Sequence, residues 1–278
     1  MRDKYINSNR IGGISESNRQ LLTQLHRGES GPFTVSEAAA KMGITDDRAA
    51  RLLVAWASQG WLSRIRRGLY ITVPLGARNP SARREDPWVV GMRVFSTAYI
   101  GGWSACEHWD FTEQISADVL VFTTRNIRTR KQTVQDTTFI VRVVPKDRIW
   151  GTTQVWRGQT TIVVSDPVRT VIDILKEPRL GGGIRHCAEI LESYFRSEHR
   201  ADDQLIRYLT QLKSGTICKR LGFLIETMEI EALEVREYCE SHISAGYSKL
   251  DPSVKSSGQF RRRWNLEVNV QLDLEASW

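Results

Sequence analysis

Apolar positions in the first sixty residues recur at the spacing of amphipathic helices. The pattern predicts one helix over residues 17–27, a second over 36–42 and a third that begins after Thr45, a suitable N-cap. The apolar side chains of the third helix form an inner stripe: Ala49, Leu52, Leu53, Trp56 and Ala57. Arg48 and Arg51 are therefore expected on its open face.

A β-hairpin is predicted directly after the third helix. Residues 61–66 and 69–73 have strand composition, with a turn at Gly68 between them. This order of elements is that of a winged helix-turn-helix domain, in which the third helix enters the major groove and the hairpin lies along the backbone or in the minor groove. The cations of the hairpin are Arg64, Arg66 and Arg67. Neutralising phosphates with them would make binding sensitive to salt.

The distribution of charge supports this interpretation. The net charge is +7, yet residues 1–84 hold 14 Lys and Arg against 6 Asp and Glu, whereas the rest of the chain holds 25 against 26. Most of the N-terminal cations are arginines, the side chain that best combines phosphate and base contacts. We therefore favour a DNA-binding surface over a module for protein contacts, although Asp46 and Asp47 at the start of the third helix would repel phosphate.

The remainder of the chain mixes helices and strands. Residues 76–87 have the composition of a linker, so we predict an N-terminal domain over 1–80 and a second domain over 81–278. Predicted strands are 119–123, 139–144, 160–164 and an alternating segment, 264–275. Predicted helices are 88–95, 103–109, one from 167, one from 184, 205–212 and 222–240. The predicted fold class is α+β, a winged helix-turn-helix domain followed by a larger mixed α/β domain.

Composition also bears on the compartment. No apolar run approaches the roughly eighteen residues of a membrane helix, and no apolar signal core follows the first residues. The four cysteines are Cys106, Cys187, Cys218 and Cys239. They form no C-x-x-C pair and are expected to be reduced, buried thiols of a cytoplasmic protein.

Motifs for catalysis or metal binding are weak. The five histidines show no metal-binding spacing, and within Cys106–Asp110 consecutive helical side chains point in different directions. Gly181–Gly183 before a helix lacks the Lys-Ser/Thr of a P-loop, so a flexible helix entry is favoured over a phosphate site. We predict neither a metal nor a cofactor.

A DNA-processing enzyme was the main alternative from another class. Asp118 could serve as one carboxylate of a metal site, but no D/E-x-K triplet occurs. Asp273-x-Glu275 lacks the preceding Gly-Ser of a nucleotidyltransferase, and Asp166 and Asp173 are expected to cap helices or lie on the surface. No catalytic residue is predicted, and a repressor that senses a small molecule is the other alternative.

Several segments together resemble the AbiEi family of antitoxins from type IV toxin–antitoxin and abortive-infection systems. They run in order between about residues 17 and 240. They include Gly60 to Tyr70, Tyr99 to Trp109, Gln114 to Thr123, Ser165 to Asp173, Gly181–Gly183 and Arg220 to Glu226. The resemblance does not extend to Arg261-Arg262-Arg263 or to the final strand.

The resemblance implies a protein with two roles. Its N-terminal domain would bind inverted repeats in its own promoter as a transcriptional autorepressor, and its C-terminal domain would counter a nucleotidyltransferase-like toxin. The DNA-contacting residues that it implies are Ser36, Thr45, Arg48, Arg51, Arg64, Arg66, Arg67 and Tyr70. Ser104, His108 and Asp173 are expected to be structural, as a cap, a core hydrogen bond and a helix anchor.

Overall fold

The computed structural model describes residues 14–28, 31–74 and 84–272. The chain divides into two compact units. The first comprises residues 1–93 together with 134–136 and 156–161, and the second comprises 94–133, 137–155 and 162–278. The domain boundary predicted at residue 80, and most of the predicted linker, fall within 75–83, outside the described residues.

The first unit follows the predicted order of elements, with one addition. Its helices are α1 (Glu16–Gly28), α2 (Val35–Met42), α3 (Asp46–Ser58) and α4 (Pro87–Phe95), whose last two residues belong to the second unit. Its strands are β1 (Phe33–Thr34), β2 (Leu62–Arg66) and β3 (Leu69–Thr72), in the antiparallel order β1-β3-β2. Strand β1 was not predicted, because two residues are too few to show a period.

The helices of the first unit enclose a small apolar core. The buried stripe of α3 meets Leu25 of α1 and Phe33 of β1. The largest of these side chains, Trp56, is 2 % exposed. Burying an aromatic side chain of this size contributes on the order of 3 kcal/mol, so α3 is held mainly by its inner face.

The second unit is built on a mixed β-sheet. Its strands are β4 (Ala98–Ile100), β5 (Val119–Thr123), β6 (Lys131–Val134), β7 (Thr137–Val143), β8 (Thr152–Arg157) and β9 (Thr160–Ser165), of which Val134, residues 156–157 and residues 160–161 are counted with the first unit. In the described part of the chain they follow the order β6-β7-β5-β4-β9-β8. Strands β5 and β7 are parallel, and β4 is antiparallel to β5. The three apolar strands predicted in this region are confirmed, whereas the short strand β4 and the more polar strands β6 and β8 were missed.

Helices make up most of the rest of the second unit. They are α5 (Trp103–His108), α6 (Pro167–Lys176), α7 (Ile184–Arg196), α8 (Asp202–Leu212), α9 (Gly215–Thr227) and α10 (Leu233–Ser241). The prediction of a single helix over 222–240 is wrong. The chain turns after Thr227, where Glu229 has a φ of 54° and the Ile230 backbone N–H bonds the carbonyl of Ile225.

The long final strand predicted over 264–275 is wrong for its described part, residues 264–272; residues 273–275 lie outside the described residues. Within that part the chain forms the short strand β12 (Leu266–Val268), in a small sheet with β10 (Ser248–Lys249) and β11 (Gln259–Arg261). A 3-10 turn over Arg262–Trp264 and a φ of 46° at Asn265 precede it. The alternation of apolar residues therefore reflects side chains packed on the helices (Leu266 is buried) rather than a continuous strand.

Two further sequence predictions can be compared with the structure. All four cysteines are buried and free of disulfides, as predicted. No helix within the described residues is long and apolar enough to cross a membrane.

Candidate nucleic-acid interface

The connection from β1 to α3 is fixed by local capping. The Thr34 hydroxyl accepts a hydrogen bond from the Glu37 backbone N–H at 3.3 Å, and the Glu37 carboxylate accepts one from the Thr34 backbone N–H at 2.7 Å. This capping box starts α2. Gly43 ends α2 with a φ of 64°, a conformation that glycine adopts without strain. The spacing Thr34-x-x-Glu37 is a signal that sequence analysis overlooked.

Helix α3 separates its apolar and basic side chains onto two faces. Ala49, Leu53 and Trp56 are buried, while Arg48 and Arg51 are exposed. Thr45 occupies the N-cap position, as predicted, but its side chain forms no capping hydrogen bond. Its exposed hydroxyl and the two arginines therefore remain available at the surface.

A carboxylate at the start of α3 is engaged within the unit. The Ser36 hydroxyl donates a 2.7 Å hydrogen bond to Oδ2 of Asp46, which links α2 to α3. Asp46 and Asp47 both lie in the first turn, where the helix dipole favours negative charge. Both carboxylates are thus explained by their favourable interaction with the dipole of α3. Asp47 is exposed to solvent. Ser36 lies at the surface with its hydroxyl directed to Asp46.

Glu37 is likewise committed to structure. The Arg93 guanidinium of α4 donates to its carboxylate at 2.9 Å. Burial alone would raise the pKa of Glu37, but the hydrogen bonds from Thr34 and the charge of Arg93 outweigh it and lower the pKa. The carboxylate is therefore ionised at neutral pH, and its charge is balanced by Arg93.

The β2–β3 hairpin carries exposed cations. Its register shifts between Arg64 and Arg66, so Ile65 is buried while both flanking arginines are exposed. Arg67 is exposed in the turn, beside Gly68, which has a φ of 78°. The bulge and the turn thus place all three predicted arginines at the surface of the hairpin.

Tyr70 requires a correction. Tyr70 is only 2 % exposed and belongs to the apolar core of the first unit. It lies opposite Phe33 in the pairing of β1 with β3. A side chain buried in this way does not present a contact surface to DNA. We therefore assign Tyr70 to the core and remove it from the predicted contact residues.

Two residue types that could carry chemistry in the second unit, a buried thiol and a helix-capping carboxylate, occupy structural positions. Cys106 is buried, and burial raises the pKa of its thiol far above the ordinary range, so it is not a thiolate nucleophile. Asp166 caps α6 by accepting from the Arg169 backbone N–H at 2.7 Å, as predicted. Among the described residues no group of His, Cys, Asp and Glu has the arrangement of a metal site.

Asp173 is buried rather than on the surface, which corrects one of its two predicted placements. It forms a 2.8 Å ion pair with Arg169 and accepts a 2.8 Å hydrogen bond from the Tyr99 hydroxyl. Burial and the Asp173 charge raise the pKa of Tyr99 well above its usual value, so the phenol remains a donor. Asp173 therefore anchors α6 to β4, consistent with the predicted helix anchor.

Ser104 and His108, the other two motif residues that were expected to be structural, lie in different environments. Ser104 does not cap α5, because the N-cap position is Gly102; instead its hydroxyl accepts from the Leu120 backbone N–H at 3.0 Å. His108 is partly buried and lies against Trp109, with ring centroids 4.6 Å apart.

The glycine run Gly181–Gly183 leads into α7. The backbone N–H at the start of this helix, where a phosphate would bind, is already bonded to a carboxylate of the same chain. Gly182 and Gly183 have φ values of 86° and 99°, and α7 begins at Ile184. The Ile184 backbone N–H donates to Oδ2 of Asp251 at 2.9 Å. This internal carboxylate takes the place that a phosphate would need.

Comparison with known proteins agrees with the geometry of the first unit. Residues 20–73 match the family model described as "Transcriptional regulator, AbiEi antitoxin". The resemblance inferred from the sequence is therefore confirmed over this segment, which contains α2, α3 and the hairpin. No curated protein matches the chain.

A solved structure shares the fold over most of the chain. The crystal structure of the RV2827C protein from Mycobacterium tuberculosis aligns over 91 % of both chains with a TM-score of 0.64. The two sequences are 13 % identical, so the likeness concerns the fold alone.

Proposed function

We propose that the first unit is a winged helix-turn-helix domain that binds the promoter of its own gene and represses it. The observation that carries this proposal is the exposure of Arg48 and Arg51 on α3, opposite the buried stripe that holds the helix in place. A helix anchored by one face and basic on the other suits the major groove. The hairpin arginines would contact the phosphates beside it.

The proposal draws on two independent supports. The positive charge of the chain is concentrated in residues 1–84, as the electrostatics of a DNA-binding domain require. The segment that holds these arginines is also the one that matches a family of transcriptional regulators. The charge of the nearby Glu37 carboxylate is balanced by Arg93, so it opposes phosphate binding less than an unpaired carboxylate would.

The second role that we propose is antitoxin activity of type IV, carried by a C-terminal domain over 81–278 and directed at a nucleotidyltransferase-like toxin. The description of the matching family supports an antitoxin and regulator role. We further propose that the protein acts in the cytoplasm. We also propose that it acts without catalysis, because the candidate acids Asp166 and Asp173 are engaged in capping and in a buried ion pair.

A gel-shift titration tests the DNA-binding role. The full chain is titrated against the duplex upstream of its own gene, with random duplex as competitor and with or without magnesium. A shift that prefers the upstream duplex, without cleavage, is the expected result. Cleavage with magnesium would instead identify a DNA-processing enzyme.

Matched variants connect the shift to α3. Arg48→Ala with Arg51→Ala should abolish the preference for the upstream duplex, since base contacts are lost. Arg261→Ala with Arg262→Ala removes the same charge from exposed positions of the second unit and serves as the control. Equal effects of the two pairs would show that α3 does not read the sequence.

A further inference from the structure

The second unit contains a basic loop that its near-neutral total charge conceals. Residues 124–131, Thr-Arg-Asn-Ile-Arg-Thr-Arg-Lys, connect β5 to β6 and hold four cations. No carboxylate occurs between Val119 and Gln135. The cations are Arg125, Arg128, Arg130 and Lys131, and all four are exposed. We refer to residues 124–131 as the basic loop.

Sheet topology places further cations beside the basic loop. Strands β5 and β7 are parallel, with Thr123 opposite Val143, so their carboxyl ends lie at one edge of the sheet. The basic loop leaves β5 at this edge, and the 3-10 turn Lys146–Arg148 follows β7 at the same edge. In open α/β sheets, ligands commonly bind outside the carboxyl ends of the strands.

Backbone contacts hold the basic loop in a defined path. The Arg130 carbonyl accepts from the Val141 backbone N–H at 2.7 Å, and the Thr123 hydroxyl accepts from the Arg125 backbone N–H at 3.1 Å. The Arg125 guanidinium donates to the carbonyl of Val94 near the end of α4 at 3.2 Å. Arg125 therefore fixes the start of the loop rather than offering a free cation.

The remaining arginines of the basic loop lack anionic partners. Lys131 lies 3.7 Å from the Asp118 carboxylate, whereas Arg128 and Arg130 pair with no carboxylate in the described chain. Lys146 is exposed at the same edge, as is the adjacent Asp147, so the excess of positive charge there comes from the basic loop. Closely spaced like charges repel one another unless an anion lies between them, so their concentration on an ordered loop fits a polyanion.

The strained backbone beside this edge is a further feature of the same surface. Ser96 and Thr97 precede β4 with φ values of 36° and 44°. A β-branched residue rarely adopts a positive φ, and such strain is concentrated at functional sites. The Thr124 backbone N–H donates to the Thr97 carbonyl at 3.2 Å, so the strained pair supports the base of the loop.

We propose that the basic loop, with Lys146, binds the phosphodiester backbone of nucleic acid as a second contact surface, separate from α3 and the hairpin. Taking duplex DNA as the occupant rests on the proposed function. Arginines without base-reading geometry neutralise phosphates regardless of sequence, so this surface raises affinity without adding specificity. Releasing counterions there contributes about 0.9 to the salt slope per phosphate.

The test measures binding of the full chain by fluorescence anisotropy between about 50 and 200 mM salt, the range in which counterion release is readily resolved. The probes are the upstream duplex, a random duplex DNA and a duplex RNA of the same length. Arg128→Ala with Arg130→Ala is compared with the control pair Arg261→Ala and Arg262→Ala. Circular dichroism and thermal unfolding verify that both variants fold.

We expect the loop variant to lose affinity for DNA to the same extent whatever the sequence of the duplex. Relative to the control, the Arg128 and Arg130 variant should bind both DNA duplexes on the order of tenfold more weakly and reduce the salt slope by about two. A matching loss on duplex RNA would mean that the surface recognises the backbone shared by both nucleic acids, and a loss confined to DNA would identify DNA as its ligand.

Two other results would overturn the inference, and each has a different meaning for the proposed function. If the loop variant behaves like its control while the Arg48 and Arg51 variant loses specific binding, the second surface is disproved and the proposed function stands. If the unmodified chain binds none of the three duplexes at low salt, both fail.

Discussion

The arginines of this protein fall into two groups that differ in burial: buried arginines that bond the interior of the second unit, and exposed arginines on α3 and the hairpin. Arg169 and Arg220 are nearly inaccessible, at 2 % and 4 % exposure. Arg220 donates to the carbonyls of Leu175 and Lys176, where the negative end of the α6 dipole favours a cation. The arginines of α3 and the hairpin are exposed instead, so the same residue type that secures the second unit is available to phosphate in the first.

The hairpin arginines yield a prediction at this scale. Replacing Arg66 and Arg67 by alanine should weaken binding of the upstream duplex by about 1–3 kcal/mol and lower the salt slope by about two, because two phosphate contacts are lost. Anisotropy titrations at several salt concentrations measure both quantities. Unchanged affinity and slope would mean that the hairpin does not contact DNA.

Asp251 yields a prediction about acid stability. Its carboxylate accepts from the backbone N–H groups of Ile184 and Ser253, both at 2.9 Å. Burial alone would raise the pKa of Asp251, but these bonds, the Ser253 hydroxyl and the charge of Arg220 lower it. The stabilisation is therefore complete above the unfolded pKa of about 3.9 and is lost as the pH falls through the lower folded value.

Asp251→Asn should reduce the free energy of unfolding at pH 7 by about 1–3 kcal/mol, since a buried acceptor of backbone N–H groups is altered. It should also flatten the fall of stability below about pH 4. Urea unfolding across pH measures both effects. Asp203→Asn, at an exposed position of α8, is the control, and an equal loss in the two variants would contradict the assigned role.

At the scale of elements, the C-terminal segment is secured by the contact between α9 and Trp264. A Cβ atom on Gly222 would lie 2.0 Å from Cζ3 of Trp264. Trp264 is only 1 % exposed. Only a residue without a side chain allows this approach. The close packing explains why the chain after Asn265 follows the helices and does not extend as a long strand.

Gly222→Ala should therefore destabilise the protein by about 1–3 kcal/mol through overpacking, although alanine is the better helix former by about 1 kcal/mol. In a Trp264→Leu background the same substitution should become neutral or stabilising, because the clash is gone. A double-mutant cycle from urea unfolding measures the coupling. Additive effects would show that Trp264 does not restrict position 222.

Over the whole molecule, charge divides along the chain, and so do the two functions that we propose. The positive excess lies in residues 1–84, and the family match spans 20–73. The proposed antitoxin activity belongs to the rest of the chain. The two activities should therefore be separable by substitution.

Arg48→Ala with Arg51→Ala should abolish repression of the upstream promoter while neutralisation of the toxin persists. The measurement is a promoter–reporter assay beside growth rescue on co-expression with a nucleotidyltransferase-like toxin encoded next to the gene. Both proteins are expressed from unrelated promoters, so that autorepression does not alter their amounts. Loss of rescue at equal protein level would place antitoxin activity in the first unit.

Elements whose signals are local could be predicted from the sequence alone. The three N-terminal helices, the hairpin and its turn at Gly68 were predictable because helical period, glycine stops and strand composition act within a few residues. The exposure of Arg48 and Arg51 followed from the same period. The signature Thr34-x-x-Glu37 was equally local, and would have placed the start of α2.

Tertiary structure decided the features that depend on distant partners. Strand β1 exists because β3 lies beside it, and that pairing buries Tyr70. The cations of the basic loop are contiguous in the sequence, but the edge of the sheet at which they lie follows from the parallel pairing of β5 with β7. Asp251 reaches Ile184 across 67 residues, so the sequence predicts a helix entry at the glycine run but not the carboxylate that lies there. Such contacts depend on packing between elements, and no period along the chain records them.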